Sequence, residues 1–122
     1  MATVRVLLVD DYEPWRQFVC RVLQKRPELE IVGEVADGLE AVQRAGELHP
    51  DVILLDIGLP TLNGIEAARR LRRISPDSKI LFVSQESSAD VVQEALSTGA
   101  RGYVVKANAT DLLAAMNAVL AA

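Results

Sequence analysis

Three carboxylates, a lysine and a serine stand where short apolar runs of this chain end. Asp10 and Asp11 close the first run, Asp56 a later one, Ser84 the next and Lys106 the last. Each run is rich in β-branched residues and reads as a β-strand, so the five side chains can share one edge of a sheet. Carboxylates gathered in one crevice repel one another, and one tends to hold its proton. A hard divalent cation removes that difficulty. Mg²⁺ takes carboxylate and carbonyl oxygens, prefers octahedral geometry and keeps several waters. A lysine across the crevice supplies a point counter-charge for a carboxylate, or for a phosphoryl group attached to it. A serine hydroxyl can donate to a phosphoryl oxygen. This set supports phosphoryl transfer onto a carboxylate. Asp56 would attack phosphorus in line with the leaving group, while Mg²⁺, Lys106 and Ser84 stabilise the charge spread over the equatorial oxygens. Singly, each residue also fits a plainer role: Asp as a helix cap, Ser as a turn residue, Lys as a solvated charge. Their combination carries the reading.

For these residues to meet, the strands must lie side by side and run the same way. The first strand is read over Val4 to Val9. A helix follows, opened by Pro14, with Trp15, Phe18, Val19, Val22 and Leu23 on one apolar face and Cys20 on its flank. The second strand covers Ile31 to Ala36, and its charge suggests a sheet edge. Asp37 should cap a second helix whose apolar positions are Leu39, Val42, Ala45 and Leu48 and which His49-Pro50 ends. The third strand, Val52 to Asp56, has four consecutive apolar residues, as a central parallel strand buried on both faces would. Asn63 precedes a third helix, Gly64 to Ile74. A fourth strand spans Ile80 to Ser84. A fourth helix spans Ala89 to Thr98, with Val91, Val92, Ala95 and Leu96 inward and Gly99 as its C-terminal cap. The fifth strand runs from Gly102 to Lys106. The fifth helix runs from Ala109 to Leu120, capped by Asn108, with Leu112, Leu113, Met116, Val119 and Leu120 inward. Such a rhythm implies an α/β fold, a parallel sheet with helices on both faces. Ligands of open parallel sheets bind at the carboxyl ends of the strands, which is where the polar residues fall.

The bulk properties agree. A chain of 122 residues is the usual size of one domain, so residues 1–122 are expected to form a single one. A net charge of −4 gives no global field toward nucleic acid or anionic membrane, and neither is expected as a direct partner. The lone Cys20 cannot form an intrachain disulfide, which fits a reducing compartment. No apolar stretch reaches membrane-spanning length. A soluble, cytoplasmic protein is the expectation.

In their order and spacing these residues resemble the receiver domain of two-component response regulators. The matching stretches are Val6 to Asp11, Asp51 through Pro60 to Gly64, and Gly99 to Lys106, and the likeness extends over essentially the whole chain. The resemblance implies a flavodoxin-like doubly wound sheet of five parallel strands in the order 2-1-3-4-5. It implies Asp56 as phosphoacceptor. It implies Asp11, Asp56 and the backbone carbonyl of Gly58 as Mg²⁺ ligands, with Asp10 helping through water. Lys106 and Ser84 would contact the phosphoryl group. Tyr103 would be the switch aromatic, turning from an outward to an inward position. The donor would be a phosphohistidine on a sensor histidine kinase. Such a protein is a signalling phosphoprotein that assists its own phosphotransfer and dephosphorylation, not a turnover enzyme on an external substrate. Its response would appear on the surface of the fourth helix, fifth strand and fifth helix, where a homodimer would also form.

Three positions depart from the common pattern. Ser84 stands where many members have Thr, and keeps the hydroxyl. Ala107 follows the lysine where many have Pro, so the Lys106–Ala107 bond is expected to be trans. Gly58 lacks a side chain at a position that often modulates dephosphorylation. The stretch Gly102-Tyr103-Val104-Val105-Lys106 without a following Pro resembles receivers that precede helix-turn-helix output domains.

Other readings fit less well. A receiver working without phosphorylation would not need the full set Asp11, Asp56, Ser84 and Lys106. A phosphatase with an aspartate nucleophile usually has a second Asp two residues later as general acid, where Gly58 stands here. A flavin phosphate at the turn after the first strand would be repelled by Asp10 and Asp11. His49 suits a helix end better than phosphotransfer. Arg69, Arg70, Arg72 and Arg73 read as a solvated face, with Glu66 available to Arg70. Ala114, Ala118 and Ala121 lie opposite the core stripe of the fifth helix, either as good helix formers or as a docking face.

Overall fold

The alternating pattern resolves into β1 (Val4–Val9), α1 (Glu13–Leu23), β2 (Leu29–Val35), α2 (Gly38–Leu48), β3 (Val52–Leu55), α3 (Gly64–Ile74), β4 (Lys79–Ser84), α4 (Ala89–Leu96), β5 (Gly102–Val105), a 3₁₀ segment (Lys106–Asp111) and α5 (Leu112–Ala121). The structure, a computed structural model, describes residues 3–121; Met1, Ala2 and Ala122 lie outside the described residues. All strand pairs are parallel and the order is β2-β1-β3-β4-β5, as expected.

Strand alternation divides the core into two layers. Leu7, Val9, Ile53, Leu55, Ile80 and Phe82 pack with Ala41, Ala45, Ala68, Leu71 and Ala95 of α2, α3 and α4. Val6, Leu8, Val52, Leu54, Leu81 and Val83 pack with Val19, Leu23, Leu112, Met116 and Val119 of α1 and α5. Every residue of β3 is at most 1% exposed, so this strand is covered on both faces and Asp56 leaves it at the centre of the sheet.

The expected Asp37 cap forms, and Asn63, which precedes the third helix, caps it in the same way. The Asp37 side chain accepts from Glu40 N at 2.7 Å, and that of Asn63 from Glu66 N at 3.0 Å. Ser88 caps α4 in the same way, by accepting from Val91 N. Gly99 takes a left-handed φ of 97° just past α4, as a C-terminal glycine should. His49 also takes a left-handed conformation, φ 47°, and its backbone N–H donates to Ala45 O.

The structure corrects several boundaries and faces. β2 begins at Leu29 and ends at Val35, before Ala36. β3 and β5 stop one residue short, which puts Asp56 and Lys106 just beyond the sheet. Leu39 is 48% exposed, because α2 turns Gly38, Ala41 and Ala45 inward, small residues that let it approach closely. α4 ends at Leu96, which is exposed. Asn108 does not cap α5: it sits inside the 3₁₀ segment with non-helical φ −110° and ψ 37°, and α5 starts only at Leu112. No peptide bond among the described residues is cis, so Lys106–Ala107 is trans as expected.

The amino-end edge of the sheet is latched by hydrogen bonds. Arg5 N donates to the Asp51 carboxylate at 2.8 Å, and the Arg5 guanidinium donates to the carbonyls of Leu48 and His49. Ser75 and Ser78, both buried, share a hydroxyl bond of 2.6 Å, and Ser78 also donates to Pro50 O. No helix among the described residues is long and apolar enough to cross a membrane.

Candidate functional site

The other edge collects the charge. Asp10 N donates to Val35 O and Asp56 N to Val9 O, so inter-strand hydrogen bonds hold both backbones as they leave the sheet. Asp10 is 1% exposed; its Oδ1 accepts from Tyr12 N at 2.9 Å and its Oδ2 lies 2.7 Å from Lys106 Nζ. Asp56 is 8% exposed; its Oδ1 accepts from Ile57 N at 2.7 Å, leaving Oδ2 to face Lys106 Nζ at 3.3 Å. Asp11 is exposed beside them, and carboxylate oxygens of Asp10, Asp11 and Asp56 lie within 4.8 Å of one another. Asp11, Asp56, Gly58, Ser84, Glu86 and Lys106 line a crevice of about 300 Å³. Asp10 is absent from that lining and lies beneath, paired to the lysine.

Ser84 is buried at the end of β4, and its Oγ accepts from Glu86 N at 3.2 Å. Tyr103 does not line the crevice. Its ring stacks on Phe82 with centroids 6.0 Å apart, and its hydroxyl donates to Glu86 O at 2.7 Å. Glu86 thus touches both expected switch residues through its backbone. Burial raises the Tyr103 phenol above its ordinary value, with a hydrogen bond to Ser84 working the other way.

Backbone fit fixes Asp56 from behind. Gly64 opens α3 and its N–H donates to Ile57 O at 2.8 Å. A Cβ on Gly64 would lie 1.9 Å from the Asp56 carbonyl oxygen, so only glycine lets α3 start this close to the acceptor strand. At Gly58, by contrast, an added Cβ meets nothing within 4 Å.

The electrostatics carry a measurable cost. Burial raises the Asp10 carboxyl above its ordinary 3.8, and the Asp56 charge adds to the rise; the Lys106 and Tyr12 hydrogen bonds only partly offset it. In the window above 3.8 the folded chain therefore holds the Asp10 proton longer than the unfolded chain does. Stability falls as pH rises through that window, and at neutral pH ionised Asp10 opposes folding. Asp10→Asn should raise the neutral-pH melting temperature in the absence of divalent cations. A lower one would mean that the Lys106 pair outweighs burial.

Sequence reasoning missed four contributors. Trp15, read as core, has Lys106 Nζ over its ring. Arg16 Nη1 donates to Asp10 O at 2.6 Å, and its Nε lies 3.3 Å from Glu34 Oε1. A cation in the first turn of a helix, where anions are favoured, was the signal available. Glu86 acts through its backbone, and its side-chain type announces nothing. Gly64 acts by lacking a side chain, and a glycine just after Asn63 was the signal available. Cys20 stays bland: half-buried, its thiol is pushed up by burial and by Glu34, the opposite of activation.

The family model described as "Response regulator receiver domain" matches residues 6–117. Over 110 residues the chain is 39% identical to "Transcriptional regulatory protein DegU" of Brevibacillus brevis, covering 90% of this chain and 47% of that protein. A two-component response regulator of the LuxR family from Aurantimonas sp. SI85-9A1 superposes with a TM-score of 0.92 at 35% identity, covering 98% of this chain and 86% of the other. The response regulator domain of Thermotoga maritima CheB gives 0.89 at 33% identity, with 98% of each chain covered. The chain spans about half the length of the curated relatives it matches.

Proposed function

The chain belongs to the response regulator receiver domain family, and from that premise we propose that it is a phosphorylation-operated switch whose acceptor is Asp56. The observation that carries this is the position of Lys106 Nζ, 2.7 Å from Asp10 and 3.3 Å from Asp56 in a cluster of three carboxylates. The donor set is all hard oxygen and strongly anionic, which suits Mg²⁺. Asp11, Asp56 and the Gly58 carbonyl would hold the ion, with Asp10 assisting through water. When bound it would supply positive charge beside the phosphoryl oxygens.

Asp56 Oδ2, the oxygen not engaged by Ile57 N, forms the new bond to phosphorus as the bond from phosphorus to the donor breaks. The donor is a phosphohistidine of a sensor histidine kinase, in the cytoplasm. Lys106 leans from Asp10 toward the phosphoryl oxygens, and Ser84 donates its hydroxyl proton to one of them. Residues 1–122 act as one receiver domain, with no turnover of an external substrate. A phosphatase reading lacks its acid, because Gly58 stands two residues after Asp56 with open space around it. Relatives named as transcriptional regulators support a further proposal, that this domain governs a DNA-binding output in a longer protein and does not itself touch DNA.

Intact mass after incubation with acetyl phosphate and Mg²⁺ should rise by one phosphoryl group, and excess chelator should prevent it. Full labelling in chelator would contradict the metal assignment.

The response passes through Glu86. Ser84 drawn toward the phosphoryl group moves the exposed 85–88 segment, whose Glu86 carbonyl holds Tyr103. The ligand shifts a balance between two arrangements and creates neither. The face of α4, β5 and α5 changes, and a homodimer forms there, where Ala114 and Ala118 are exposed. Ser84→Ala should still accept the label yet lose most of the amide-exchange change over residues 84–106 on adding beryllofluoride. An unaltered response in that variant would remove Ser84 from the mechanism.

A further inference from the structure

Lys106 is held from a third side. Its ammonium lies over the Trp15 ring, 5.0 Å from the centroid, while bonded to Asp10 and Asp56. A cation at that range is attracted by the quadrupole of the indole, more strongly when it is shielded from water, and the Lys106 side chain is only 10% exposed. The ring has little freedom to drift. Trp15 sits in the first turn of α1 beside Pro14, its backbone N–H donates to Tyr12 O, and Phe18 packs against its ring at 5.1 Å with a tilt of 38°. Lys106 has no such frame of its own. It lies on the 3₁₀ segment beyond β5, followed by exposed Ala107 and by Asn108 in a non-helical conformation. A four-carbon stem leaving that backbone needs an external guide to keep its charge on one spot.

We propose that Trp15 is a positioning residue for the phosphoryl chemistry: its ring face holds the Lys106 ammonium at the crevice, within reach of Asp56 and of a phosphoryl group on it. The inference rests on the reading of Asp56 as acceptor. A purely structural Trp15 could be replaced by any large apolar side chain. A positioning Trp15 could be replaced only by another aromatic. Trp15→Leu keeps the bulk and loses the π face, whereas Trp15→Phe keeps a face.

With the full chain, acetyl phosphate and Mg²⁺, Trp15→Leu should label about tenfold more slowly at saturating donor, the effect of a partly desolvated cation–π contact. The donor concentration for half-maximal rate should change little, and Trp15→Phe should recover most of the rate. In the parent, the ring current should move the Lys106 ε-methylene proton signals upfield, and Trp15→Leu should abolish the shift. Parental labelling by folded Trp15→Leu, or equal loss in the Phe and Leu variants, overturns the proposal, as do unshifted Lys106 signals in the parent. If the parent takes no label at all, the acceptor reading fails, while the methylene shift still decides whether Trp15 holds Lys106. Should Trp15→Leu not fold, Lys106→Met in the parent must change the Trp15 emission spectrum, and an identical spectrum overturns the contact.

Discussion

Asp56→Asn should take up no phosphoryl group from acetyl phosphate in Mg²⁺, with the intact mass unchanged after an incubation that fully labels the parent. An amide is not a nucleophile toward phosphorus, so the loss is one of chemistry. The substitution keeps the shape of a side chain that is 8% exposed and follows a strand buried on both faces. Its amide oxygen can still accept from Ile57 N, and Lys106 keeps Asp10 as partner. The variant should therefore be folded, with a melting temperature at or above the parent's, since one of three mutually repelling carboxylates is gone. Undiminished labelling would transfer the acceptor role to Asp10 or Asp11.

Gly64→Ala should be the more damaging change to the molecule as a whole. Its Cβ would sit 1.9 Å from the Asp56 carbonyl oxygen and 2.8 Å from Ile57 Cα, well inside contact distance. Both opposing groups are backbone, so no rotamer change relieves the clash. α3 would have to draw back from β3, breaking the Gly64 N–H bond to Ile57 O and loosening the turn that aims Asp56. A loss of about 3 kcal/mol is expected from enforced overpacking, together with slower labelling. Gly58→Ala is the matched control. It adds the same methyl group six residues away in open space and should stay within about 0.5 kcal/mol of the parent. Denaturant unfolding of both variants decides the matter, and equal stabilities would remove the close-approach argument.

Four of the five strands were legible because their apolar runs end in a charge or a hydroxyl, and those same residues form the candidate site; β2 ends at Val35 without one. Asp10, Asp11, Asp56 and Lys106 could be named because parallel strands deliver their ends to one edge, and the structure brings all four together. The order 2-1-3-4-5 came from family likeness, since periodicity alone does not rank strands. Helix faces were less readable where size and hydrophobicity disagree. Leu39 is the more apolar residue, yet Ala41 is the one small enough to lie under α2. The Lys106–Trp15 and Tyr103–Glu86 contacts join residues far apart in sequence, one of them through a carbonyl that every residue possesses. No spacing rule marks such pairs.

The two edges of the sheet are built to different standards, and this should appear as two separate melting events of unequal scale. At one edge buried Ser75 and Ser78, Arg5 and Asp51 tie loops to strand ends. At the other, residues 85–90 are all exposed, like-charged carboxylates crowd together, and a short 3₁₀ segment replaces a proper helix start. Local openings draw on the least stable parts of a fold. On warming, the crevice should lose its order several degrees before the sheet does. Signalling competence would then have its own thermal ceiling, set below the temperature at which the protein denatures. Site-directed stabilisation of the core would leave that ceiling where it is.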